Sequence, residues 1–182
     1  MRKIIAQLFV SVDGVMEAPE DWHFPYYNEQ MGEVVAAQFH ESDILLLGRT
    51  TYEVFAASWP QRGSEVPLAE RINTMPKLVA STTLDTVRWH NTTLLGGDVA
   101  AELTKLKEEP GNNITISGSP TLVRSLLREG VLDELQLLVH PIVLGRGRRL
   151  FDDDRQTPLR LIDSATFSTG VVHLTYQPAL HP

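Results

Sequence analysis

The chain has 182 residues, 42% hydrophobic and 21% charged, which is enough apolar material for one globular domain with a sizeable core. Its net charge of −7 argues against a general nucleic-acid or anionic-membrane binder, although a local basic pocket can still hold a phosphate. It contains no cysteine, which excludes disulfides, cysteine-ligated zinc and thiol nucleophiles and is compatible with a cytoplasmic location.

Arg2-Lys3 before an apolar run looks faintly like a secretory leader, but Gln7 and Ser11 interrupt the run and no A-x-A site follows. Ile4 to Val12 reads instead as a first strand buried on both faces, ending at Asp13-Gly14. Residues 15–28 hold two prolines and four aromatics without periodicity and read as a long loop, a kind of segment that is often functional. Glu29 to His40 is an amphipathic helix, with Met31, Val34, Val35 and Phe39 at helical spacing.

Asp43 to Leu47 is a second buried strand, running into Gly48-Arg49-Thr50. Thr50 and Glu53 match a capping box, so a short helix is expected from Thr50 to about Trp59-Pro60. Leu68 to Ile72 forms a helical turn within a polar stretch. Lys77 to Ala80 and Thr92 to Leu95 are short strands that end in Ser81-Thr82-Thr83 and Gly96-Gly97. Asp98 caps a helix carrying Val99, Leu103 and Leu106 on one face, which stops at Pro110-Gly111.

Ile114 to Gly130 is the best marked stretch. Ile114 to Ile116 is β-prone; Ser117-Gly118 ends it; Ser119 suits an N-cap and Pro120 the first helical position. Leu122, Val123, Leu126 and Leu127 then share a face, and Gly130 suits a left-handed end. A strand that passes through a glycine into a helix N-terminus presents free N–H groups to an anion such as a pyrophosphate. Leu135 to Leu144 is a long strand, and Pro141 within it implies an edge or a bulge. Around Leu137 to Leu144 this apolar strand could extend or face a partner strand, which makes a homodimer plausible. Leu159 to Phe167 and Val171 to Tyr176 flank a hairpin turn at Ser168-Thr169-Gly170.

The order of elements implies one α/β domain over residues 1–182, with a mostly parallel sheet, helices on both faces and antiparallel strands at the C-terminus. Small hydrogen-bonding residues recur at every parallel strand exit, which points to an extended phosphorylated ligand of dinucleotide size.

LLLGRTTYEVF closely resembles the strand–Gly-Arg-Thr–helix signature of dihydrofolate-reductase-like enzymes. VSVDGVM and VLDELQLLVHPIVLGRGRRLF resemble the RibD C-terminal family, which contains the reductase domain of riboflavin biosynthesis and small stand-alone relatives. The resemblance covers nearly the whole chain. It implies a dihydrofolate-reductase-like three-layer α/β/α fold and an NADPH-dependent reduction of a small heterocyclic or ribosyl-pyrimidine substrate, the family's known reaction being reduction of a 5-amino-6-(phosphoribosylamino)uracil.

By the same resemblance, Gly48, Arg49 and Thr50 match the first nucleotide-binding turn, with Arg49 suited to the 2′-phosphate of NADPH. Ser81 and Thr82 match the second turn, and Gly118, Ser119, Pro120, Thr121 and Leu122 the pyrophosphate turn. Asp13 and Gly14 match the substrate side. Asp13 is the candidate for substrate binding or proton transfer, with a simple Asp-Gly turn as the alternative.

Trp22 and His23 could cover the substrate as a lid, or pack as loop residues. The Gly-Gly pair of dihydrofolate reductases is Ser117-Gly118 here, and no acid falls at the pterin-binding position on the first helix, where Gly32 lies near Glu29 and Glu33. Both departures count against folate, and the missing acid keeps open a nucleotide-binding module without turnover. Arg146, Arg148 and Arg149 could meet a substrate phosphate, or pair with Asp152, Asp153 and Asp154 in a solvated or interface turn. The six histidines form no i, i+4 pair, so no metal site is expected. His140, in an apolar strand, is read as a buried hydrogen-bonded side chain.

Overall fold

In a computed structural model that describes residues 1–152 and 155–179, the chain forms strands β1 (Ile4–Ser11), β2 (Ser42–Gly48), β3 (Lys77–Ala80), β4 (Thr92–Leu95), β5 (Asn113–Ile116), β6 (Glu134–His140), β7 (Leu159–Thr166) and β8 (Val172–Pro178). Its α-helices are α1 (Glu29–His40), α2 (Arg49–Ser58), α3 (Ala69–Thr74), α4 (Val99–Glu108) and α5 (Pro120–Arg128). The strands make one sheet in the order β4-β3-β2-β5-β1-β6-β8-β7. Pairing is parallel from β4 to β6 and antiparallel for β6-β8 and β8-β7.

Alternation along each strand sends side chains to opposite faces. Ala6, Leu8, Val10, Leu46, Ile114 and Ile116 meet Leu103 of α4 and the Leu122, Val123, Leu126 and Leu127 face of α5. On the other face, Leu45, Leu47 and Val79 meet Phe39 of α1, Tyr52 of α2 and Ile72 of α3. The result is the expected three-layer α/β/α sandwich. Gly130 follows α5 at φ +68, where a side chain would be strained, and the Val131 N–H turns back to the Leu126 carbonyl at 2.9 Å.

Two expectations are corrected. β6 stops at His140, so Pro141 lies beyond the strand, and β6 sits between β1 and β8 with both edges paired. It offers no edge to a partner strand; the outer strand is β7. The capping box at Thr50 does not form. β2 runs through to Gly48, which takes the N-cap position, and Glu53 pairs with Arg49 instead, at 2.9 Å.

Part of segment 15–28 folds onto the β6 end. His23 stacks on Phe9 at 4.8 Å between centroids, and Trp22 meets His140 edge-on at 5.1 Å. His140 is fully buried; its Nδ1 lies 2.9 Å from the Leu138 carbonyl, and its Nε2 and the Nδ1 of His23 find no partner among the described residues. Burial, with the neighbouring His140, lowers the His23 pKa to about 4. Burial also lowers the pKa values of His140 and His173.

Lys77 begins β3 with its side chain 1% exposed. Its Nζ donates to the carbonyls of Ile72, Asn73 and Met75 at 3.0, 2.9 and 2.7 Å, and lies 4.4 Å from the Trp89 ring centroid. Burial lowers its pKa to about 8, so it remains mostly protonated at neutral pH and caps the C-terminal carbonyls of α3.

Lys77→Met is expected to leave those carbonyls unsatisfied and to cost about 2–3 kcal/mol, read from the urea midpoint. The histidines set an acid limit. The unfolded chain takes up protons below about pH 6.5 that the folded chain refuses until lower pH. The histidine contribution to stability is therefore complete above that value and is lost from about pH 6.5 toward pH 4, whereas Lys77, with its lowered pKa, makes stability rise from about pH 8 upward. Urea unfolding at a series of pH values checks this, and His23→Leu should flatten the slope by up to about 1.4 kcal/mol per pH unit.

Candidate active site

Parallel pairing lines up the C-terminal ends of β4, β3, β2, β5 and β1 along one edge of the sheet, and all five exits named by the sequence meet there. The exits of β2 and β5 touch. The Gly48 N–H donates to the Gly118 carbonyl at 3.2 Å, and a Cβ on Gly48 would collide with the Ser119 hydroxyl. Gly118 has φ +141, its peptide to Ser119 is cis, and a Cβ there would meet Thr51. Glycine at both positions lets the N-termini of α2 and α5 abut.

Ser119 holds the N-cap position of α5, but its hydroxyl caps no N–H. The residue as a whole is 8% exposed. With Thr50, Thr51, Ser117 and Pro120 it lines a cleft of about 270 Å³. Thr121 is exposed on the first turn of α5, whereas Leu122 is a core residue that can offer only its backbone N–H to a ligand. Arg49 Nη1 donates to Thr83 at 2.8 Å, tying the β2 exit to the β3 exit. There Ser81 Oγ accepts from the N–H groups of Thr83 and Leu84, and Thr82 is exposed.

Asp13 and Gly14 anchor a second wall. The Asp13 carboxylate accepts from the Ser11 hydroxyl at 2.6 Å and from the N–H groups of Leu144 and Gly145 at 3.1 and 2.8 Å. Those bonds, Ser11's first, lower its pKa to about 2. Further bonds join the same segments: Val12 N–H to Ile142, Met16 N–H to Arg148, Leu150 N–H to Gly14 and Arg149 Nε to the Asp13 carbonyl. Asp13 is thus an ionised clamp between the β1 exit and loop 141–150. These bonds are those of the Asp-Gly turn.

Arg148 lines the cleft opposite α5 and makes no side-chain bond among the described residues. Arg149 lies 3.7 Å from Asp13, and Asp152 pairs with Arg124 rather than with the loop arginines. Asp153 and Asp154 lie outside the described residues. Trp22 and His23 are 7% and 9% exposed, and the Trp22 indole donates to the Glu17 carbonyl at 2.9 Å. They are packed into the loop's own aromatic cluster rather than poised as a free lid.

Beneath the cleft a second pocket of about 180 Å³ opens between β1, α1 and α2, lined by Phe9, Val35, Phe39 and Phe55, with Gln7 among its few polar groups. Both cavities share Met16, Pro19, Phe55 and Ser117. Sequence reasoning missed this floor. Its one signal is Gln7, a polar residue inside an apolar strand. No carboxylate lines the lower pocket; Glu29 and Glu33 are exposed on α1. Among the described residues no group of three His, Asp or Glu side chains could hold a metal, and no helix is long and apolar enough to cross a membrane.

Known proteins share this fold. A putative riboflavin biosynthesis protein from Shewanella sp. PV-4 superposes with a TM-score of 0.78 at 23% identity, covering 99% of this chain and 100% of that one. Dihydrofolate reductase from Enterococcus faecalis, in complex with NADP(H) and RAB-propyl, superposes with a TM-score of 0.65 at 15% identity, over 97% of this chain and 96% of that one. The uncharacterized protein YyaP of Bacillus subtilis (strain 168) is 30% identical over 182 residues, 96% of this chain and 94% of its own. Residues 2–173 match the family described as the RibD C-terminal domain, and the chain belongs to that family.

Proposed function

We propose that this chain is a cytoplasmic NADPH-dependent reductase of a small heterocyclic or ribosyl-pyrimidine molecule, related in chemistry to the 5-amino-6-(5-phosphoribosylamino)uracil reductases of riboflavin biosynthesis. The observation that carries the reading is the Ser119 hydroxyl, which caps no N–H at the N-terminus of α5 and lines the cleft. An acceptor-rich phosphate satisfies it and the first N–H groups of α5 together. The abutting α2 N-terminus offers Thr50 and Thr51 on the same cleft.

Arg49 suits a 2′-phosphate. Its Nε and Nη1 are engaged by Glu53 and Thr83, and its remaining N–H donors leave room for a further anion. NADPH, when bound, supplies a hydride to a C=O or C=N carbon and leaves as NADP⁺, while water gives the proton to the oxygen or nitrogen. The protein binds, orients and shields. Asp13 holds the wall, and the proton comes from solvent in the open cleft. A homodimer belongs to the same proposal; its available sheet edge is β7, where Leu161 and Ile162 are exposed.

A second reading, a nucleotide-binding module without turnover, draws on the clamped state of Asp13. NADPH oxidation with candidate pyrimidines separates the two, and a dihydrofolate assay addresses the folate alternative.

NADPH should raise the melting temperature by mass action more than NADH does. Arg49→Ala should weaken NADPH about tenfold and leave NADH unchanged, and Ser119→Ala should weaken both about three- to tenfold. An Arg49→Ala protein with undiminished NADPH preference would overturn the cofactor assignment. Asp13→Asn should speed amide exchange at Leu144 and Gly145 yet leave the shape of the pH–rate profile intact across the neutral range. A limb lost from that profile would return proton transfer to Asp13.

A further inference from the structure

The lower pocket carries information about what the enzyme reduces. Gln7 on β1 faces it from a hydrogen-bonded chain: Gln7 Nε2 donates to Gln136 Oε1 at 2.8 Å, and Gln136 Nε2 donates to Glu134 Oε1 at 2.7 Å. An amide's two ends are hard to distinguish from shape alone, but here the carboxylate decides. Glu134 Oε1 accepts from Gln136 Nε2, so Gln136 turns its NH₂ toward Glu134 and its carbonyl toward Gln7. Gln7 must then turn its own NH₂ toward Gln136, and the same Nε2 also reaches the Val34 carbonyl at 3.5 Å. The Gln7 Oε1 remains, an acceptor with no bond among the described residues, on the wall of an otherwise largely apolar pocket.

Two further observations bound the ligand. The residues lining this pocket include no Lys, Arg, His, Asp or Glu, so a phosphate or carboxylate buried in it would go unpaired. Its volume of about 180 Å³ is suited to one ring or two fused rings, since a cavity of about 150 Å³ is enough for benzene. A pyrimidinedione fits badly. Its two carbonyls and second N–H would lose water against Phe9, Val35, Phe39 and Phe55, at about 1–3 kcal/mol for each unpaired group.

We propose that the substrate portion seated beneath the cofactor cleft is an uncharged, mostly apolar ring system carrying one N–H or O–H donor, received by Gln7 Oε1. Any charged or sugar-like part stays in the upper cleft, toward Arg148. The assignment rests on the reductase reading for the chemistry done to the ligand and not for its binding. It selects the heterocyclic branch of the proposed function over the ribosyl-pyrimidine branch.

The test is calorimetric titration with three matched probes: 2-quinolone, 4-methyl-2-quinolone, which keeps the N–H and adds a carbon, and N-methyl-2-quinolone, which adds the same carbon and loses the N–H. The wild-type chain should bind the first two at least about fivefold more tightly than the third. Gln7→Leu should bind all three alike, and Val35→Trp, which fills the pocket from α1, should bind none. Equal binding of the N–H and N-methyl probes by the wild type, no binding of any of them, or uracil binding as tightly as 2-quinolone would overturn the assignment; none of these readouts requires a variant to fold. NADPH titrated separately judges the reductase reading. A protein that discriminates the probes but ignores NADPH keeps the pocket assignment and loses that reading.

Discussion

The molecule turns on the contact between two strand exits. β2 and β5 are neighbours in the sheet but lie far apart in sequence, and each ends in a glycine that leads toward a helix. Where Gly48 donates to Gly118, two helix N-termini are held side by side, with the Ser119 side chain packed against Gly48 and the Thr51 side chain against Gly118. Parallel dipoles repel, and buried N–H groups without acceptors are costly. The Ser119 hydroxyl, which caps no N–H, opens on the same cleft. The glycines are required by that closeness, since a methyl group at Gly48 would push the two exits apart.

The other features divide between a polar cleft at the helix N-termini and an apolar pocket below it. Met16, Pro19 and Phe55 belong to both cavities, so a ligand crossing from one to the other passes from helix N-termini to aromatic walls within one cleft. Such a gradient suits a reaction in which a charged carrier and a less polar acceptor meet at the boundary and water is displaced from the lower half. The acidic balance of the chain as a whole has little bearing on this, because local N–H groups and single arginines set the potential that a bound phosphate feels.

What was legible in the sequence was local. The run from Ile114 to Gly130 encodes its strand, turn, helix start and left-handed end in neighbouring residues, and the fold follows it closely. The five exits were legible for the same reason, and parallel pairing then put them on one edge. The failures came where a distant partner decides. Thr50 and Glu53 have capping-box spacing, but the length of β2 moved the helix start to Arg49 and gave Glu53 a different partner. Pro141 argued for an edge strand, yet the chain leaves β6 just before it and β8 covers that side. The bonds from the Leu144 and Gly145 amides to Asp13 could not be read locally either, because those amides lie 131 and 132 positions away. Gln7 was unreadable as a site residue because its orientation depends on Gln136, 129 positions away in the chain.

The ties between the β1 exit and loop 141–150 have a mechanical consequence. Val12, Gly14, Met16 and Asp13 each hold the loop through its backbone, and Arg149 reaches back to the Asp13 carbonyl. Cooperative bonds of this kind open together or not at all. The backbone of Arg148 is therefore fixed from both sides, its carbonyl by the Met16 N–H and its N–H by the Glu17 carboxylate, so the loop's place beside the cleft is set by the residues that follow β1.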